Sequence, residues 1–142
     1  MKYFVKQLTV FLENKPGELA SFTHILSGKN VNIKSLILVE STEYGLVRAI
    51  VDNPQKAKAV LESAGLSVRF SDVLAVKIKD EVGSFDRIVT ILSKNDINIL
   101  YTYSFYSANS GIFIFSIDNL QKGINTLLEA NENVLEAAYF YE

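Results

Sequence analysis

The chain repeats itself at a fixed shift of 66 positions, since 83 − 17 = 66 carries Gly17 onto Gly83. Without a gap, Leu26-Ser27 then meets Leu92-Ser93, Asn32-Ile33 meets Asn98-Ile99, and Gly45 meets Gly111. Farther on, Asp52-Asn53 meets Asp118-Asn119, and Gln55-Lys56 meets Gln121-Lys122. Glycine and Asx residues tolerate backbone angles that other residues avoid, so their recurrence in register marks the same turns made twice. Such a chain folds as two copies of one supersecondary unit. Duplication also predicts a pseudo-twofold axis, a common place for ligand sites.

Within each copy the hydrophobic period switches in a definite order. Gln7 to Leu12 is β-rich and ends at the Pro16-Gly17 breaker. From Gly17 to Lys29, Leu19, Phe22, Ile25 and Leu26 form one helical face. Val31 to Glu40 and Leu46 to Val51 read as strands around a Glu43-Tyr44-Gly45 turn. Asp52-Asn53-Pro54 starts a second helix, with Ala57, Val60, Leu61 and Ala64 inward and Gly65 at its end. Leu66 to Phe70 is the last strand. The second copy gives a strand over Val73–Ile78 and a helix over Ser84–Lys94 with Phe85, Ile88, Ile91 and Leu92 inward. Strands follow over Ile97–Phe105 and Ile112–Ile117, around Asn109-Ser110-Gly111, then a helix over Leu120–Ala130 and a strand over Val134–Tyr141. The order is βαββαβ twice. The fold class is α+β, two ferredoxin-like units in tandem, each an antiparallel sheet with helices on one face. Their predicted spans are 1–71 and 72–142, with no flexible linker near Asp72.

Composition narrows the function. No apolar run approaches the ~20 residues of a membrane helix, and Met1-Lys2-Tyr3-Phe4-Val5-Lys6 is too short and too charged for a signal peptide. The chain has no Cys, which excludes disulfide and thiolate chemistry and fits the cytoplasm. Residues 1–71 hold nine Lys/Arg and six Asp/Glu, a net of +3; residues 72–142 hold five and ten, a net of −5. The sum of −2 argues against a nucleic-acid partner. The opposed halves favour association of unlike units, within a chain or between chains, and open strand edges favour a homodimer.

The loop Asn14-Lys15-Pro16-Gly17-Glu18 joins a strand to a helix. A helix start offers unpaired N–H groups and partial positive charge to a carboxylate or phosphate. Gly17 permits close approach of a ligand to the backbone, and the Asn14 amide both donates and accepts, as a free amino acid requires. The same residues also suit a plain helix-start turn.

Glu13-Asn14-Lys15-Pro16-Gly17-Glu18-Leu19, followed after one helix by Val31-Asn32-Ile33, resembles the signature of the ACT domain, a family of small amino-acid-sensing regulatory modules. The interval from Asn14 to Asn32 is 32 − 14 = 18, as in serine-sensing ACT domains. The resemblance covers nearly the whole chain and is clearest in the first copy; with no catalytic module alongside, the chain is similar to stand-alone tandem-ACT regulatory proteins. It implies an amino-acid effector bound where units meet, each pocket combining the loop of one unit with the second strand of the other. One pocket would use Asn14, Pro16, Gly17, Glu18 and Leu19 with Asn98 and Ile99. The other would use Asp80, Gly83, Ser84 and Phe85 with Asn32 and Ile33. Leu12 stands where serine-binding relatives carry a His, which favours a more apolar effector. Asp80 in place of Asn14 puts an anion where an effector carboxylate would sit, so the two pockets are not equivalent.

Other readings find less support. The single His24 lies off the helical stripe and reads as exposed. With one His and no Cys, neither a zinc site nor a nucleophile–base pair is indicated, and no cofactor is expected. An acylphosphatase-like hydrolase would need Arg where the loop has Lys15. An RNA-recognition motif is disfavoured because the aromatics of Ile112-Phe113-Ile114-Phe115 fall one position out of phase, which turns them to the opposite face of the strand. Tyr101, Tyr103 and Phe105 share one strand face and suit packing against another sheet. The expectation is a non-catalytic regulatory protein, partnered by a free amino acid and by a second copy or a metabolic enzyme. The alternative is an interaction subunit that docks on an enzyme without binding a ligand.

Overall fold

The computed structural model describes residues 1–40 and 44–141. Contacts divide these residues into two compact units. An N-terminal unit comprises Lys6–Ser71 with residues 140–141, and a C-terminal unit comprises Met1–Val5 with Asp72–Tyr139. Among the described residues there are seven strands, four α-helices and one 3-10 helix, and the fold is α+β with the βαββαβ order of elements.

In the N-terminal unit, β1 (Val5–Glu13), α1 (Glu18–Gly28), β2 (Ile33–Glu40), β3 (Tyr44–Val51) and α2 (Pro54–Ser63) follow in order. β3 lies between β1 and β2, antiparallel to both, and the row Leu12–Gly45–Glu40 crosses all three. Alternation along β1 turns Leu8, Val10 and Leu12 towards the helices. There they pack with Phe22 and Leu26 of α1, Val47 and Ala49 of β3, and Ala57 and Leu61 of α2. The Glu43-Tyr44-Gly45 turn falls partly outside the described residues; Tyr44 and Gly45 already belong to β3.

In the C-terminal unit, part of β4 (Val68–Lys79) precedes α3 (Ser84–Lys94), β5 (Ile99–Ser107), β6 (Ser110–Ile117), α4 (Leu120–Glu129) and β7 (Asn133–Val134). β6 pairs with β5 and β4, and β7 pairs with β4, all antiparallel. The second core holds Leu74, Val76, Ile78, Ile88, Leu92, Phe115, Ile117, Ile124 and Leu127, with Tyr3 and Phe4 packed against it.

Three expected features are corrected. The strands at Leu66–Phe70 and Val73–Ile78 are one continuous strand, β4, because Ser71 and Asp72 fit extended backbone and no Gly or Pro interrupts them. The expected strand over Val134–Tyr141 shrinks to β7, and the 3-10 helix Ala137–Phe140 follows. Ala137 and Ala138 lack the branched or aromatic bulk that a pleated surface rewards. Phe85 is not buried inward: 37% exposed, it leaves the inner side of α3 to Ser84, Ile88 and Leu92.

The 66-residue shift carries backbone geometry as well as sequence. Asn30 and Asp96 both take φ 59 after α1 and α3, while Gly65 and Asn131 take φ 89 and φ 60 after α2 and α4. These are left-handed residues that end a helix. Asn53 and Asn119 cap α2 and α4 by accepting from Lys56 N–H at 3.2 Å and Lys122 N–H at 3.1 Å. Volume is traded between the copies. The N-terminal unit has buried Ala57 on α2 and Val51 on β3; the C-terminal unit has Gly123 on α4 and Ile117 on β6. A Cβ on Gly123 would fall on Ile117 Cδ1. Gly123→Ala should therefore lose, through crowding, the ~1 kcal/mol that Ala gains over Gly in a helix. In Ile117→Val the same change should recover it. Chemical denaturation of the four proteins of the cycle should give a favourable coupling of about 1 kcal/mol.

Candidate functional site

The loop after β1 is built by backbone geometry that recurs after β4. Lys15 N–H donates to Glu13 O at 2.9 Å and Glu18 N–H to Lys15 O at 3.4 Å; Glu81 N–H donates to Lys79 O at 3.0 Å and Ser84 N–H to Glu81 O at 3.3 Å. Gly17 and Gly83 sit at the two helix starts with φ 90. No side chain caps α1 or α3. Each helix therefore opens on backbone N–H groups beside a residue that only glycine fills easily, a geometry suited to an anionic group.

Side chains make the two loops different. In the N-terminal unit a cleft of about 280 Å³ opens beside the loop, lined by Leu12, Asn14, Lys15, Leu19, Leu38 and Val39 among others. Glu13, Glu18, Glu40 and Gly45 complete the lining. Lys15 Nζ lies 3.2 Å from Glu13 and 3.7 Å from Glu18. The hydrogen bond that Lys15 donates to Glu13, then the charges of Glu13 and Glu18, raise the Lys15 pKa, so the ammonium stays charged throughout the physiological range. Fixed charges of both signs thus stand beside an aliphatic wall. Glycine makes the room: in the row Leu12–Gly45–Glu40, Gly45 puts no side chain between its neighbours.

The corresponding place in the C-terminal unit is filled with rings. The shift of 66 sends Leu19 to Phe85, Val47 to Phe113, Ala49 to Phe115 and Glu40 to Tyr106. Phe85 stacks on Phe113 with centroids 4.7 Å apart and lies 6.0 Å from Phe115; Tyr106 meets Phe113 edge-on at 6.1 Å. Phe113 and Phe115 face α3 and α4. Beside them, Ser84 is buried, and its Oγ has no hydrogen-bond partner. A recess of about 390 Å³ adjoins the loop after β4 on the side away from these rings, lined by Ile78, Lys79, Glu81 and Ser110 with Arg87 and Glu132 among others; Ile78, Lys79 and Glu81 are the counterparts of Leu12, Glu13 and Lys15. There Arg87 makes a bidentate pair with Glu132, at 2.8 and 3.1 Å.

Asn32 and Ile33 do not join the Asn14 loop within their unit. They line a recess of about 560 Å³ with Thr23, Ser27, Asn30, Val31 and Asp52. Asn32 N–H donates to Asp52 Oδ1 at 2.9 Å, and Asp52 N–H returns a bond to Asn32 O at 3.0 Å. Asn98 and Asp118 repeat this exchange at 3.1 Å in both directions. The shared Asn-Ile and Asp-Asn pairs thus have a structural task, which leaves the Asn32 and Asn98 side-chain amides outside this exchange. Both exchanges flank the irregularity in strand register between Ile33 and Ser35, and between Ile99 and Tyr101. Leu38, Val39 and Gly45 were absent from the sequence-based set of site residues. The repeated glycine was their one signal, because register places it opposite Leu12 and Glu40. His24 is exposed and lines a groove of about 530 Å³ with Ile25, Lys29, Val60 and Ala64 among others. Among the described residues no His, Cys, Asp and Glu side chains gather as a metal site, and no helix is long and apolar enough to cross a membrane.

A ferredoxin-like unit made twice, with a glycine-bearing loop before the first helix of each, defines a class of small regulatory domain. The family model for an ACT domain pair matches residues 3–140, and the chain belongs to that family. A crystal structure of a protein from Bacteroides thetaiotaomicron is similar at 31% identity and TM-score 0.95, over 99% of this chain and 97% of that one. The regulatory subunit of aspartate kinase from Thermus thermophilus, in its ligand-free form, shares the fold at 14% identity and TM-score 0.67, over 92% and 95% of the two chains. The corresponding subunit from Thermus flavus does so at 15% identity and TM-score 0.63, over 89% and 92%. No curated protein matches the chain in sequence.

A Cβ at Gly17 or Gly83 would meet nothing within 4 Å, so substitution there is opposed by the left-handed φ alone. Gly17→Ala and Gly83→Ala should each cost about 1–2 kcal/mol, nearly equally, in urea unfolding.

Proposed function

We propose that this protein is a non-catalytic regulatory protein of the cytoplasm that binds a small amino acid at the loop after β1 and reports it to a partner. The observation that carries the reading is the N-terminal cleft. The uncapped start of α1 and the Lys15 ammonium suit an effector carboxylate, and Glu13 and Glu18 suit its ammonium. The Asn14 amide can serve either group. Pro16 presets the turn, and Leu12 and Leu19 suit an apolar side chain.

A second copy or a metabolic enzyme is the proposed partner. Phe11, Leu46 and Val39 form one cross-strand row, in which Phe11 and Val39 are exposed; Tyr44 nearby is exposed too. An exposed apolar row of this kind also favours the second reading, an interaction subunit that binds no effector. The aspartate kinase regulatory subunits with the same fold support an enzyme of amino-acid metabolism as partner.

A thermal-shift screen against the twenty amino acids separates the readings. A true effector at a hundredfold excess over Kd adds about 2.7 kcal/mol of stability. Asn14→Ala should weaken that effector by about 1.5–3 kcal/mol, roughly ten- to a hundredfold, in calorimetry. No stabilisation by any amino acid would leave only the docking role. Light scattering should show a homodimer; a monomer at high protein concentration, whatever the salt, would exclude self-association.

A further inference from the structure

We propose that the chain takes one effector, an amino acid with an aliphatic side chain, and that it does so because Phe85 closes the equivalent place in the C-terminal unit. The proposal rests on the amino-acid reading above and adds the class of ligand and the number bound.

The side chains of Leu12, Leu19 and Leu38 give the N-terminal cleft an aliphatic wall, with Glu40 at its edge in the same cross-strand row as Leu12. Its volume of about 280 Å³ suits a ligand of a few heavy atoms. The charged groups gather at the loop, in Glu13, Lys15 and Glu18, so a zwitterion would place its α-carbon there and its side chain on the leucines. A polar side chain would lose its water to that wall without gaining hydrogen bonds.

In the C-terminal unit the same row reads Ile78–Gly111–Tyr106. A Cβ on Gly111 would lie 2.8 Å from Phe113 Cε1 and 2.9 Å from Tyr106 Cε1, so rings crowd the glycine there. A Cβ on Gly45 would meet only the Leu38 Cδ1 end, at 3.2 Å, and Leu12 atoms at 3.8 Å or more. Stacking of Phe85 on Phe113 completes the closure, with the outer face of Phe85 left to solvent. The protein thus supplies its own apolar occupant in one copy and leaves the other open. Leu19 and its counterpart Phe85 are the residues that decide between the two states.

Amide NMR of the full chain, titrated with valine, leucine, isoleucine and serine, tests this together with calorimetric stoichiometry. One aliphatic amino acid per chain should bind, shifting the amides of residues 14–19 and leaving 80–85 in place, with serine at least tenfold weaker. Leu19→Phe should weaken binding at least tenfold while the protein stays folded by its amide spectrum. Shifts at both loops, two ligands per chain, or serine preferred would overturn the proposal and leave the amino-acid reading standing. If none of the twenty amino acids binds, that reading fails and the ligand assignment with it. The closure is also read without ligand: Gly111→Ala should lower Tm and move the Phe85 and Tyr106 ring resonances, whereas Gly45→Ala should change Tm little. Equal small effects at the two glycines would show that rings do not fill the second place.

Discussion

The exchange of hydrogen bonds between Asn32 and Asp52 fixes how β2 meets the start of α2, and Asn98 with Asp118 repeats it in the second unit. One carboxylate receives the N–H that precedes β2, where strand register breaks. The next side chain, Asn53, caps α2. Two adjacent residues thereby position a strand and a helix that are far apart in sequence. Both exchanges lie at the exposed edge of the unit, so they fix geometry and add little to stability. The pair can be kept in both copies even where the surrounding core has changed.

Around that shared frame the copies diverge by exchange of volume. Val47 and Ala49 of β3 and Leu19 of α1 become three phenylalanines in the second unit, on β6 and α3. Close packing leaves little choice in how the added rings are housed. They spread outward over Gly111 and reach Phe85 at the start of α3. The open cleft in the N-terminal unit is therefore a packing outcome as well as a chemical one. Leu19 in its lining is smaller than its counterpart Phe85, and Gly45 there carries no side chain.

The chemistry of the loop follows a similar rule. Backbone geometry is conserved between the copies, as matched φ values at Gly17 and Gly83 show. Charge is exchanged: Glu13 and Lys15 give way to Lys79 and Glu81, and the neutral Asn14 to Asp80. Duplication preserved the turn and released its side chains.

Much of this was legible in the sequence. The repeat, the βαββαβ order, the Asx caps and the loop glycines follow from local preferences: which residues accept positive φ, which cap a helix, and which period the apolar residues keep. The span Ser84–Lys94 was legible for the same reason. Long-range packing decided the rest. Only the tertiary structure made Val68–Lys79 one strand, cut the last strand to Asn133–Val134 and turned Phe85 from a core residue into a half-exposed lid. It also placed Leu38, Val39 and Gly45 beside the loop, because strand register sets cross-strand neighbours and no local pattern encodes that register. The sequence by itself determined that this chain makes one unit twice; which copy keeps an open cleft was decided by how side chains distant in sequence share the space between sheet and helix.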